Sequence, residues 1–251
     1  MIHRFEISIP SLSPDLIRKG YAYLPDNYKE HTEKRYPVMY MFDGHNVFYD
    51  EDATYGKSWG MAKYLDENPI DMIIIAIECN HDGNLRLSEY SPVNFYYESA
   101  GEIHAQGKKY MDWLTGTFKP LVDSEIRTLK DRKNTYICGS SLGGLMSLYG
   151  ATTYNRFFNY AICLSPSLWI SPDSIYDILE KSKLNSETMI YMDYGSRELN
   201  NHEGTLEALL HCTSILLNKN VNATLRIISG GTHSEASWSK QVPVFMKLLN
   251  F

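Results

Sequence analysis

The sequence predicts an α/β protein: a three-layer α/β/α sandwich on a mostly parallel sheet of about eight strands, with an antiparallel hairpin at its start. Two observations carry this. Short runs rich in β-branched and aromatic residues, several apolar on both faces, recur from Tyr36 to Ser229, as expected of strands covered by helices on either side. Most are separated by longer segments with helical spacing, and such alternation requires crossover connections between parallel neighbours.

The chain opens with "HRFEISIP" and "RKGYAYLP". Both alternate in polarity, so they read as half-buried strands, joined into a hairpin by a turn containing Pro14 and Asp15. The covered strands follow as "YPVMYMF", "DMIIIAIEC", "NTYICG", "NYAICLS", "TMIYMDYG" and "NATLRIIS". Helices are expected over "GKSWGMAKYLDEN", "GKKYMDWLTGTFKPLVDSEIR", "LGGLMSLYGATTY" and "GTLEALLHCTSILLNKN", and "VPVFMKLLNF" closes the chain. No repeat, low-complexity tract or proline-rich linker marks a boundary, so residues 1–251 are expected to form a single domain.

Composition narrows the function. A formal charge of -6 with 43% hydrophobic residues offers no basic stripe for nucleic acid. No segment approaches the roughly 20 apolar residues of a membrane span, and the N-terminus "MIHRFEISIPSLSPD" lacks a signal-peptide pattern. The expectation is a cytoplasmic protein that engages neither nucleic acid nor membrane, with a homo-oligomer left open. Cys79, Cys138, Cys163 and Cys212 form no CxxC pair and read as buried free thiols rather than a metal site or disulfide framework.

The stretch "TYICGSSLGGLMSLYG", Thr135 to Gly150, places two serines among glycines between a strand and a helix. A phosphate loop would need a Lys and a Ser or Thr after its last glycine, but Gly144 is followed by Leu145 and Met146. A dinucleotide fingerprint fails because Ser141 occupies the second glycine position. "GSSLG", Gly139 to Gly143, is instead G-x-S-x-G in the strand–turn–helix context that gives this pattern meaning. Ser141 is central in it and is the candidate nucleophile; the amide of Leu142, at the start of the helix, is placed to meet an oxyanion.

A serine needs a base and an acid, here in the chain order serine, acid, histidine. His211 falls in a helical stretch and His202 lies too near the acid candidates. His233, in "SGGTHSEASW" just after the last strand, is the candidate general base. For the acid, Glu198 in the loop after "TMIYMDYG" has the reach to hold the imidazole, with Asp193 as the alternative and Glu203 third. The second oxyanion donor is expected after the third strand, in "YMFDGHNVF", where Gly44 permits a tight turn and the amide of His45 pairs with that of Leu142; Asn46 could assist. Asp50, Glu51 and Asp52 lack the glycine and terminal glutamate of a calcium loop and read as a solvated acidic stretch.

Together "YMFDGHNVF", "RLSEYSP" at Arg86 to Pro92, "GSSLGGLMSL", "AICLSPSLW" and "GGTHSEASW", in this order and spacing, resemble the "Putative esterase" family of α/β-hydrolases. That family includes enterochelin and bacillibactin esterases, esterase D type S-formylglutathione hydrolases, and feruloyl and acetylxylan esterases. The resemblance implies the α/β-hydrolase fold and carries catalytic roles to Ser141 and His233. It places the acid three residues after the glycine ending the penultimate strand, which is Glu198 after Gly195, where the family more often has Asp. It also places the oxyanion turn at Gly44 and His45.

The expected activity is therefore hydrolysis of a carboxylic ester through an acyl-enzyme, with no metal or organic cofactor and a small-molecule ester as partner. Trp169 and Trp238 are expected near the mouth of the site, with Tyr96 and Tyr97 on a nearby loop. Such aromatic walls suit sugar, phenolic or catechol groups, and Arg86 or Arg197 would suit a siderophore ester. The alternatives are an acyltransferase, thioesterase or peptidase on the same residues, or a non-catalytic binding protein of this fold.

Overall fold

The structure, a computed structural model, describes residues 1–198 and 204–249. Strands β1 (Ile2–Ile9), β2 (Ser13–Tyr23), β3 (Val38–Met41), β4 (Ile73–Ile77), β7 (Thr135–Ser140), β8 (Tyr160–Leu164), β9 (Met189–Gly195) and β10 (Asn222–Ile228) form one eight-stranded sheet in the order β1-β2-β4-β3-β7-β8-β9-β10. From β4 to β10 every pairing is parallel, while β2 runs antiparallel to both β1 and β4. This is the expected mixed, mostly parallel α/β sheet with its N-terminal hairpin.

The hairpin turns earlier than the sequence suggests. Its reversal lies at residues 10–12, where the amide of Leu12 donates to the carbonyl of Ile9 (2.9 Å), not at Pro14 and Asp15. Those two residues belong to β2, at the point where the register slips from Ser8↔Ile17 to Ile9↔Ser13. The bulge absorbs Pro14, which has no N–H to give to a ladder.

Strand alternation divides the core. Val38, Tyr40, Ile73, Ile75 and Ile77 join the apolar cluster on one face, and Met39, Met41, Ile74 and Ala76 join the cluster on the other, as a two-residue period demands. Over the first face lie α3 (Gly107–Trp113), α4 (Lys119–Glu125), α5 (Leu142–Thr153), α6 (Pro172–Lys181) and α7 (Thr205–Asn218). Helices α1 (Met61–Glu67), α8 (Glu235–Ser239) and α9 (Val242–Leu248) supply the second. The short α2 (Leu85–Glu89) and a separate antiparallel pair, β5 (Phe95–Tyr97) with β6 (Gly101–Ile103), lie between β4 and α3 in the chain. Among the described residues no helix is long and apolar enough to cross a membrane.

The long helix expected over 107–127 is divided by a π-helical segment, Leu114–Phe118. Pro120 cannot donate to the carbonyl four residues back, and widening the preceding turn accommodates that loss. The first five residues expected of the opening helix, 56–60, lie outside it, because Gly60 takes φ 67° immediately before Met61.

Topology marks where to look for a site. The chain goes from β3 to β4 on one side, then crosses to β7 on the other side of β3. The switch point therefore lies between the carboxyl ends of β3 and β7, where open α/β sheets form their crevice.

Candidate active site

Ser141 stands at the carboxyl end of β7 with φ 58° and ψ -123°. That strained conformation lifts its side chain off the turn. The turn can be this tight because a Cβ on Gly139 would lie 2.5 Å from the carbonyl carbon of Gly143, a contact only glycine permits. The Ser141 amide donates to the carbonyl of Leu164 (2.9 Å), and its carbonyl accepts from the amides of Leu145 (3.0 Å) and Ser167 (3.1 Å). These bonds anchor the turn to α5 and to the β8 loop.

From the loop after β10, His233 brings Nε2 to 2.9 Å from Ser141 Oγ, and its Nδ1 lies 2.7 Å from Glu198 Oε2. The two loops that carry His233 and Glu198 meet at Gly195 and Gly231, where a Cβ on Gly195 would fall 2.4 Å from Gly231. Glu198 is 2% exposed. Its second oxygen accepts the amide of Gly195 (2.9 Å) and the hydroxyl of Ser165 (2.7 Å), and Ser165 Oγ accepts the indole N–H of Trp238 (2.9 Å). The Trp238 ring also stands edge-on to His233 at 5.0 Å. Sequence reasoning missed Ser165; the only available signal was its place in "CLSPS", directly after a strand end.

Asp193 has other partners. Its carboxylate accepts the amide of Ser165 (3.1 Å) and the hydroxyl of Tyr191 (3.3 Å), and His233 is not among its contacts. Burial pushes its pKa up to about 7, the reverse of what a carboxylate facing an imidazolium requires. Glu203 and His202 lie outside the described residues. His211 is exposed on α7, against the ring of Tyr176 at 4.3 Å.

The β3 turn carries Asp43, Gly44, His45 and Asn46. Asp43, at φ 52°, receives a two-pronged ion pair from Arg86, with Nε to Oδ1 at 2.8 Å and Nη2 to Oδ2 at 2.7 Å. The Arg86 charge holds the Asp43 carboxyl below its ordinary value against the opposing effect of burial. His45 is buried, and that burial lowers its pKa to about 4, so the imidazole is neutral at ordinary pH. Its amide lies in the first turn of a 3-10 helix (Gly44–Asn46), as that of Leu142 opens α5; neither position has an acceptor within its own helix. Asn46 accepts the amide of Thr54 (3.0 Å) and reaches Glu235 (3.4 Å).

Of the four non-glycine residues with positive φ among the described residues, Asp43, Ser141 and Ser165 follow the ends of β3, β7 and β8. Backbone strain is thus concentrated around one place. A cavity of about 660 Å³ opens there, lined by Ser141, His233, His45, Asn46, Arg86 and Trp238 among others. Four residues expected at the site lie outside the cavity lining: Trp169, which packs between Phe95 and Tyr97 (6.0 and 5.7 Å between rings), Tyr96, Tyr97 and Arg197. The exposed Tyr55 does line it.

The family model described as "Putative esterase" matches residues 12–247. The uncharacterized protein YbbA of Bacillus subtilis (strain 168) is 23% identical over 184 residues, covering 72% of this chain and 69% of that protein. A ferulic acid esterase superposes with a TM-score of 0.69 at 18% identity, covering 96% of this chain and 95% of that one. The siderophore hydrolase EstB from Aspergillus nidulans superposes with a TM-score of 0.72 at 16% identity, covering 100% and 96%. At such identities these likenesses speak for the α/β-hydrolase fold alone.

Proposed function

The chain belongs to the "Putative esterase" family, and we propose from that premise that it is a serine esterase working through an acyl-enzyme. The observation that carries the reading is the continuous chain from Ser141 Oγ to His233 Nε2 (2.9 Å) and from His233 Nδ1 to Glu198 Oε2 (2.7 Å). Ser141 attacks the ester carbonyl as His233 takes its proton. Glu198, buried and fixed by the Gly195 amide and Ser165, keeps the imidazole proton on Nδ1 and stabilises the imidazolium that forms. The amides of Leu142 and His45 receive the oxyanion. His233 then protonates the departing alcohol and activates the water that hydrolyses the acyl-enzyme.

The Asp43–Arg86 pair fixes the β3 turn beside the serine, so the His45 amide is held in place before substrate arrives; such preorganisation is a major source of rate. For the substrate, we favour an ester of a sugar, phenolic or siderophore type. Trp238 and Tyr55 offer aromatic surface on the cavity, whose polar lining includes Arg86 and Lys57, paired with Asp43 and Asp50. The buried free thiols Cys79, Cys138, Cys163 and Cys212 suit a reducing compartment such as the cytoplasm. A panel of p-nitrophenyl, feruloyl, acetylated-sugar and triscatecholate esters tests the substrate class. At least one should be hydrolysed by the native protein and by none of its Ser141→Ala preparations; no turnover across the panel would contradict the reading.

A further inference from the structure

His45, Cys79 and His81 meet on the wall of this cavity, and their ligand atoms all lie within 4.8 Å of one another. The hydrolytic mechanism uses none of these three side chains. Cys79 is 3% exposed, and its Sγ lies 4.0 Å from Nδ1 of His81. The His45 ring stands edge-on to that of His81 at 4.4 Å. His45 is 4% exposed, and its Nδ1 is buried with no hydrogen-bond partner among the described residues. Leaving a buried polar nitrogen unpaired costs stability, so such an atom calls for an explanation.

Behind the cluster there is a supporting carboxylate. His81 Nε2 faces Glu78 Oε2 at 3.6 Å, and Glu78 Oε1 is held by the amide of Lys19 at 2.7 Å. A carboxylate at this distance favours the proton on Nε2, which leaves the lone pair of Nδ1 on the side facing Cys79. Metal-binding histidines are oriented in this way.

We propose that His45, Cys79 and His81 form a binding site for a zinc-class divalent cation. One sulfur and two imidazole nitrogens are the donor set that borderline-soft Zn²⁺ favours, with the open side of the cavity left for a fourth, water ligand. Binding replaces the Cys79 S–H proton, which leaves to solvent, with a sulfur–metal bond, and no electron is transferred. Because His81 is exposed on its loop, it can close the remaining distance to bonding range. The spacing Cys79-x-His81 with a distant His45 carries no familiar zinc signature, and the sequence pattern alone pointed to plain buried thiols.

A cation at this position would share the cavity with Ser141 and bear on the turn that carries the His45 amide. It therefore inhibits ester hydrolysis reversibly, a consequence that rests on the proposed function; the binding itself does not.

The test uses the full chain, stripped of metal. Equilibrium dialysis with Zn²⁺ should show one equivalent bound, and Co²⁺ should give the absorption band of a cobalt–thiolate bond. Cys79→Ser should abolish that band, Cys79→Ser and His81→Ala should each weaken Zn²⁺ binding at least tenfold, and Glu78→Gln should weaken it roughly tenfold. His81→Ala changes an exposed residue, so it reports on binding even if Cys79→Ser fails to fold. Absence of bound Zn²⁺ in the native protein, absence of the cobalt–thiolate band, or unchanged affinity in His81→Ala would overturn the proposal. Binding with all these signatures in a protein that hydrolyses no ester would uphold the site and sink the proposed function alone.

Discussion

Glu198 shows how much one side chain's surroundings decide. One carboxylate, Asp193, lies within β9 and another, Glu198, in the loop after it, yet only Glu198 meets the imidazole, while Asp193 faces a backbone amide and a tyrosine hydroxyl. Replacing Glu198 with Gln should lower kcat by about 10²- to 10⁴-fold with little change in KM, because the imidazolium loses its partner. Asp193→Asn should leave kcat within a few-fold of native; steady-state kinetics on one ester separates the two, and the opposite ranking would move the acid to Asp193. Ser141, His233 and Glu198 could be picked out in the sequence because strand–turn–helix context and chain order restrict where each can stand. Ser165 and Asp43 could not. Their roles depend on contacts with Glu198, Trp238 and Arg86, which come from distant parts of the chain.

At the scale of elements, the turn between β7 and α5 carries the most constraint. Gly139→Ala would place a methyl group 2.5 Å from the Gly143 backbone, and a contact with backbone cannot be relieved by rotating a side chain. The variant should lose about 3 kcal/mol of stability, seen as a fall of roughly 6–12 °C in Tm; an unchanged Tm would mean that the turn is looser than its geometry implies. The eight main strands were legible because their apolar and β-branched runs are unambiguous. The β5–β6 pair, only three residues a side, is too short to show a period. Helix α6 was missed although "SPD", Ser171 to Asp173, is a helix-start pattern. The π-helical turn answers a local problem at Pro120 that helical spacing does not reveal.

For the whole molecule, the sheet brings loops separated by almost two hundred residues to one crevice, and it also buries a carboxyl group at Asp193. With its pKa pushed up to about 7, Asp193 keeps its proton in the folded protein between about pH 4 and pH 7, whereas the unfolded chain releases it. Its contribution is therefore complete below about pH 4 and declines as pH rises through 7, a loss on the order of 4 kcal/mol. Asp193→Asn removes that decline, so its Tm relative to native should be higher at pH 8 than at pH 5; an equal difference at both would show that Asp193 does not titrate in this window. Activation of Ser141 as a nucleophile by His233 is read out by intact-protein mass spectrometry after exposure to a fluorophosphonate. The native chain should gain a single adduct located at Ser141, and neither Ser141→Ala nor His233→Ala should label at a comparable rate. A native protein that stays unlabelled, or an adduct that persists in Ser141→Ala, would contradict it.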